Sequence, residues 1–257
     1  MNEPLTVLPN IHTALWGHEE WLVSAHPAGP SIVANGEFAD RPLSDAMPGF
    51  PLLVKIIDAK DRLSVQVHPN ETTALVTGGE PKTEMWHILS ADEGAAIYAG
   101  LKPGATADDV ARAVRDGSFE DIIVRHEVRA GETYFIPGGL VHAIGGGVRI
   151  FEVQQSSNTT YRLFDWNRKD SSGNARELHV EKGVQSIDYS LPPPEPVDAI
   201  DCPFFKFRTV GQGTKEPFIA VRPAVIYQNS QAVLVPANCQ FSIDAASAPV
   251  LVAEAVM

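Results

Sequence analysis

Short runs rich in β-branched and aromatic residues recur along the chain, separated every ten or so positions by Gly or Pro. They include Leu52-Leu-Val-Lys-Ile-Ile57, Leu63-Ser-Val-Gln-Val67, Thr133-Tyr-Phe-Ile136, Val148-Arg-Ile-Phe-Glu-Val153 and Ala232-Val-Leu-Val235. Many short strands with turn residues between them predict an all-β sandwich or barrel. One stretch reads clearly as helix. Thr106 can cap it with Asp109 three residues on, Val110, Ala113 and Val114 line one face, and Gly117 ends it. A second short turn is expected from Phe119 to Val124, so residues 105–125 form a helical insertion between strands.

The clearest boundary is Leu191-Pro-Pro-Pro-Glu-Pro196, a stiff extended segment that continues neither a helix nor a central strand. It divides residues 1–190 from a C-terminal β-module, 191–257. That module has too few residues for a complete eight-stranded jelly roll, and the N-terminal 50 residues are the available source of further strands. A faint internal repeat links the two parts. Gly131-Glu-Thr-Tyr-Phe-Ile-Pro137-Gly-Gly-Leu-Val-His142 aligns with Ser230-Gln-Ala-Val-Leu-Val-Pro236-Ala-Asn-Cys-Gln-Phe241. The key last position holds His in the first copy and Phe in the second. The pattern predicts two related β-modules of which only the first keeps a metal-ligating side chain.

Charge narrows the function classes. The 257 residues carry 20 Lys plus Arg against 32 Asp plus Glu, a formal net charge of −12. A nucleic-acid binder has the opposite balance, so an anionic ligand here must be held by a few local cations against the overall field. Two cysteines, Cys202 and Cys239, cannot make a disulfide framework and suit a reducing compartment. The start of the chain lacks the basic and apolar regions of a signal peptide, and no apolar run reaches a membrane span's length. A cytoplasmic protein with no membrane or nucleic-acid partner is expected. Its oligomeric state is not legible.

Three segments carry candidate chemistry. In an extended strand Ser64, Gln66 and His68 share one face while Leu63, Val65 and Val67 share the other. A hydroxyl, an amide oxygen and an imidazole in a row suit a divalent metal that takes nitrogen and oxygen ligands. A solvated polar face would read the same way. Lys82 and Glu84 likewise share a face; the carboxylate can be a further ligand, and the lysine can stabilise developing negative charge, although a surface ion pair has the same pattern. The third segment, Gly131 to His142, has the spacing Gly-x5-Pro-x4-His. This is the second signature of the cupin superfamily, and Gln66-x-His68 followed by Glu84 resembles the first, with Gln in place of the usual first His.

The resemblance then becomes closer. Residues 52–70, Lys82-Thr-Glu-Met-Trp86, Ile136-Pro-Gly-Gly-Leu-Val-His-Ala-Ile-Gly145 and the run from Glu152 to Trp166 resemble, in order, the type I mannose-6-phosphate isomerases in their short bacterial form. Ser24-Ala-His-Pro27 and Ser31-Ile-Val-Ala-Asn-Gly36 fit as well. The likeness covers about residues 16–170 and fades beyond 190. It implies a cupin jelly-roll barrel with a small helical insertion and a second, degenerate jelly-roll-like β-module. It further implies a zinc-dependent aldose–ketose isomerase acting on a phosphorylated hexose. By motif, the Zn2+ ligands would be Gln66, His68, Glu84 and His142. Glu152, Arg162 and Lys82 would be catalytic, and Ser64 with Arg168, or with Lys169 in its place, would bind phosphate. Read by itself, Glu152 could instead be an ion-pair partner of Arg149 or Arg162. His12, His18, His26, His87, His126 and His179 fall outside the metal pattern. Competing classes are a non-catalytic sugar-phosphate-binding cupin and an iron-containing cupin oxygenase; the Gln ligand and the Lys82–Glu84 pair argue against the latter.

Overall fold

A computed structural model describes residues 3–169 and 172–256. Its strands form three main antiparallel sheets and one two-stranded sheet. Five strands make one wall of a barrel: Tyr161–Phe164, Val65–Val67, His142–Ile144, Ala96–Leu101 and Ile123–Glu127. Six strands make the opposite wall, with Glu84–Ala91, Val148–Gln155 and Leu52–Ala59 at its centre and Gly17–Ser24 beside them.

The six-stranded sheet is a middle layer, buried on both faces, which explains the nearly unbroken apolar run at 52–57. Leu52, Val54, Ile56, Met85, Phe151 and Val153 pack on one side against Phe205, Phe207, Val225, Leu234 and Leu251 of the C-terminal region. Ile57, Trp86, Ile88 and Ile150 pack on the other side against Leu63, Ile97, Ala99 and Ile144.

The C-terminal sheet has seven strands and crosses residue 190: Leu5–Leu8 pairs with Gln231–Val235 and with Ile32–Val33. The two repeat copies have matching local structure. Thr133–Ile136, Pro137 and His142–Ile144 correspond to Gln231–Val235, Pro236 and Gln240–Asp244. Where the first copy offers an imidazole, Phe241 packs against the apolar cluster of Val210, Phe218, Ile226 and Ile243.

The helix Ala107–Asp116 forms as its caps dictate. Thr106 and Asp109 make a reciprocal capping box, and Gly117 takes the left-handed conformation at φ 72°. Its Val110 and Ala113 cover Val65, Val67, Val141 and Ala143 on the outer face of the five-stranded wall. The valines of the 63–67 run therefore face a helical cap, and their polar neighbours face the barrel interior. Two helices, Glu71–Thr77 and Val180–Ser186, have no clear apolar period. The first exposes its apolar Leu75 and Val76; only Asn70 and Thr73, which build its capping box, mark it in the sequence.

Candidate active site

Two rows of cross-strand neighbours build the site. In the six-stranded sheet Trp21, Lys55, Glu152 and Trp86 are successive Cα partners. In the five-stranded sheet Arg162, Gln66 and His142 form a second row. Opposed residues of an antiparallel pair present their side chains on one face, so each row projects into one space. Between the walls lies a cavity of about 210 Å³ lined by the first row and by Arg162 and Gln66 of the second, with Glu19, Ser64, Lys82 and Arg176 also reaching it.

His68, Glu84 and His142 are buried together, with one ligand atom from each inside a 4.8 Å cluster. His68 Nε2 and His142 Nε2 are each 3.5 Å from a Glu84 carboxylate oxygen. Gln66 Nε2 is 3.3 Å from His142 Nε2, and Ser64 Oγ is 3.2 Å from Gln66 Oε1. His142 Nδ1 donates to Leu140 O at 2.9 Å, which fixes the ring and turns Nε2 toward the cluster. Burial, with Lys82 and His142 nearby, holds the His68 imidazole far below its usual range. Burial also pushes His142 down to about 4, so both rings are neutral, as ligation requires.

The cluster fits a divalent cation on three grounds. For metal bonds of 2.0–2.1 Å the edge of a coordination tetrahedron is about 3.4 Å, close to these separations. Glu84 Oε2 is buried and, apart from its ion pair with Lys82, has no partner of hydrogen-bond geometry among the described residues. A positive group already sits at the cluster, since Lys82 Nζ is 3.1 Å from both His68 Nε2 and Glu84 Oε2. Among the described residues no other group of three His, Cys, Asp or Glu side chains is so arranged.

Beside this cluster, Glu152 Oε1 is 3.1 Å from Lys55 Nζ and 4.0 Å from Lys82 Nζ, while Oε2 accepts from Trp86 Nε1 at 2.9 Å. Its partner is thus Lys55 rather than Arg149 or Arg162. Burial and the nearby Glu84 raise the Glu152 carboxyl above its ordinary range, against the pull of Lys55 and Lys82. Lys55 also pairs with Glu19 at 3.1 Å, and Glu19 accepts from Trp21 Nε1 at 2.7 Å. Burial opposes the Lys55 charge, yet Glu152 and Glu19 together raise its pKa.

These features have counterparts in known proteins. A mannose-6-phosphate isomerase of Streptococcus mutans is 37% identical over 222 residues, which span 75% of this chain and 70% of that one. The chain belongs to the type I phosphomannose isomerase family. The family's catalytic-domain model matches residues 6–87, which include Gln66, His68 and Glu84. A second family member, the mannose-6-phosphate isomerase ManA of Bacillus subtilis, is 36% identical over 72% of this chain and 68% of its own length. The crystal structure of the mannose 6-phosphate isomerase from Bacillus subtilis superposes with a TM-score of 0.84, covering 98% of this chain and 99% of that one at 24% identity. The all-β cupin fold of the family is therefore the fold of this chain.

Of the residues expected at the site, the structure brings Gln66, His68, Glu84, His142, Lys82, Glu152, Ser64 and Arg162 to the cavity or the cluster beside it. Arg168 and Lys169 do not line the cavity. The Arg168 guanidinium is committed to Asp165 at 2.7 Å and Asp61 at 3.2 Å, and Lys169 is exposed. Arg176 stands in the wall instead. Reading the sequence missed Lys55, Glu19 and Arg176. Lys55 had a signal, being the one charge inside the apolar run 52–57. Arg176, in a loop of small and polar residues, had none.

Proposed function

We propose that this chain interconverts mannose 6-phosphate and fructose 6-phosphate through an enediolate, with one zinc ion held by Gln66, His68, Glu84 and His142. The observation that carries this reading is a cavity lined by Glu152, a buried carboxylate with raised proton affinity, and joined through Lys82 to a buried His–Glu–His cluster. Two neutral imidazoles with oxygen donors suit zinc. Gln66 joins the set by its amide oxygen once the amide is turned over; Ser64 Oγ, both donor and acceptor, serves either orientation. Bound zinc supplies Lewis-acid polarisation of the substrate's C1 and C2 oxygens.

The chain's own groups account for the proton movement. Glu152 takes the C2 proton of the aldose, the C2–H pair becomes the C1–C2 double bond and the C1 carbonyl pair moves onto O1. The O2 hydroxyl proton then passes to O1, the C2 carbonyl forms, and the double-bond pair takes the proton back from Glu152 at C1. A carboxyl whose proton affinity is raised above the ordinary carboxylate range is better matched to both halves of that exchange. Trp86 holds Oε2, and Oε1, beside the Lys55 ammonium at 3.1 Å, is the oxygen that exchanges the proton. The Lys82 and Lys55 ammonium groups offset the charge that develops on the substrate oxygens, and Trp16 and Trp21 in the wall limit water. A phosphorylated, membrane-impermeant substrate suits a cytoplasmic enzyme; among the described residues no helix is long and apolar enough to cross a membrane.

The test is an assay coupled to fructose 6-phosphate, run with metal analysis. About one zinc per chain is expected, with turnover lost on chelation or in His142→Ala. Glu152→Gln should keep mannose 6-phosphate binding and lose kcat by about 10²–10⁴-fold. Full turnover by metal-free protein contradicts the zinc assignment. Binding without turnover in the wild-type protein makes this a sugar-phosphate-binding cupin.

A further inference from the structure

The cavity wall beside Gln66 contains two guanidiniums, Arg162 and Arg176. Like charges are costly to hold together, and the structure invests side chains in doing so. Arg176 is gripped by Asp165 in a two-pronged bond, Nε to Oδ2 at 2.8 Å and Nη2 to Oδ1 at 2.6 Å. Arg168 grips the same carboxylate at 2.7 Å. Burial alone would raise the Asp165 carboxyl, but its bonds to Arg176 and Arg168 bring it below its usual range.

Arg162 is fixed through the backbone of the same segment. Its Nη1 donates to Glu177 O at 2.8 Å, its backbone N–H meets His179 Nδ1 at 3.2 Å, and His179 N donates to Arg162 O at 2.7 Å. The buried Arg162 Nε has no acceptor among the described residues. Burial and the neighbouring Arg176 both lower the Arg162 pKa, as expected for two cations crowded without an anion between them.

We propose that Arg176, locked by Asp165, completes with Arg162 a site for the phosphate dianion of the substrate, and that it sets the preference for phosphorylated sugars. Arg168 is shared between Asp165 and the exposed Asp61, so the three guanidiniums and these two carboxylates leave one positive charge in excess, and the two guanidiniums that line the cavity, Arg162 and Arg176, present it there. In a chain of net charge −12 this local excess is what an anion needs. Fixed guanidiniums also match phosphate geometry better than a mobile lysine does. Arg168 acts one step back, as a support for Asp165. The row Arg162–Gln66–His142 puts the anion two strands from the cluster, so a phosphate held here leaves the far end of an open hexose chain at His142. This assignment rests on the isomerase reading above and deepens it.

The experiment uses the metal-loaded enzyme with mannose 6-phosphate as substrate and inorganic phosphate as probe. Arg176→Gln should lower kcat/KM at least tenfold, with most of the loss in KM, and weaken inhibition by inorganic phosphate in proportion. Calorimetric titration with inorganic phosphate reports the site without any turnover. Phosphate binding that is lost in Arg176→Gln supports the assignment even if the wild-type protein proves not to be an isomerase. An active isomerase whose phosphate inhibition constant is unchanged within twofold in Arg176→Gln overturns it and leaves the isomerase reading intact. Should Arg176→Gln fail to fold, wild-type protein decides. Inorganic phosphate should protect Arg176 from an arginine-selective dicarbonyl reagent, read by peptide mass spectrometry, and equal labelling with and without phosphate refutes the proposal.

Discussion

Lys55 and Glu152 stand directly opposite each other on neighbouring strands, and their side chains meet at 3.1 Å with only 7% and 2% of their surfaces exposed. Glu19 and Lys82 extend this pair on either side, so that acid and base alternate from Glu19 through Lys55, Glu152 and Lys82 to Glu84. An alternating buried row keeps each charge next to its opposite, and it links Glu152 to the His68–Glu84–His142 cluster through fixed cations.

Removing one member should therefore cost more than the pair itself contributes. Lys55→Met keeps the apolar stem but leaves Glu152 and Glu19 without their nearest cation. We expect a loss of about 3 kcal/mol in urea unfolding, with part of it restored in the Lys55→Met/Glu152→Gln double variant. Additive losses in the double-mutant cycle would show that the two side chains are not coupled.

Acidification should act through His87 on the opposite face of the same sheet. Its Nδ1 is 2.9 Å from Thr133 Oγ1 and its ring is 5.6 Å from that of Phe207, at the junction with the C-terminal sheet. Burial pushes its pKa to about 4 from an unfolded value of 6.5. Because the folded pKa is the lower one, the unfolded chain takes up the proton first as pH falls. The stability is complete above about pH 6.5 and drains away toward pH 4. Between pH 7 and pH 5 this single group should remove roughly 2 kcal/mol. His87→Leu should lose that much less than wild type over the same interval, read from urea midpoints; parallel losses exclude His87 as the source.

The helical cap gives a prediction about stability alone. Thr106→Ala removes the hydroxyl that accepts from Asp109 N at 3.3 Å and donates to Asp109 Oδ2 at 2.7 Å. The expected cost is about 1 kcal/mol, seen as a melting temperature lower by roughly 2–4 °C. An unchanged melting temperature would mean that packing against Val65 and Val67 holds the helix without its cap.

Local rules determined a good part of this protein. Period-two alternation put Gln66 and His68 on one face, the Thr106–Asp109 box and Gly117 bounded a helix, and the spacing from Gly131 to His142 marked a strand–turn–strand unit. Each of these depends on neighbours within a dozen residues, which is the range over which backbone geometry repeats. Which distant residues share a row was decided by strand order. Lys55 meets Glu152 because their strands are adjacent and in register, across nearly a hundred residues of intervening chain. Which of Arg168, Lys169 and Arg176 reaches the cavity was likewise tertiary. All three come from one polar stretch, and only the grip of Asp165, with the fold of the loop back onto Arg162, turns one guanidinium into the cavity and another away from it. Side-chain direction in an irregular loop has no sequence period to betray it, since it is set by partners that the folded chain alone supplies.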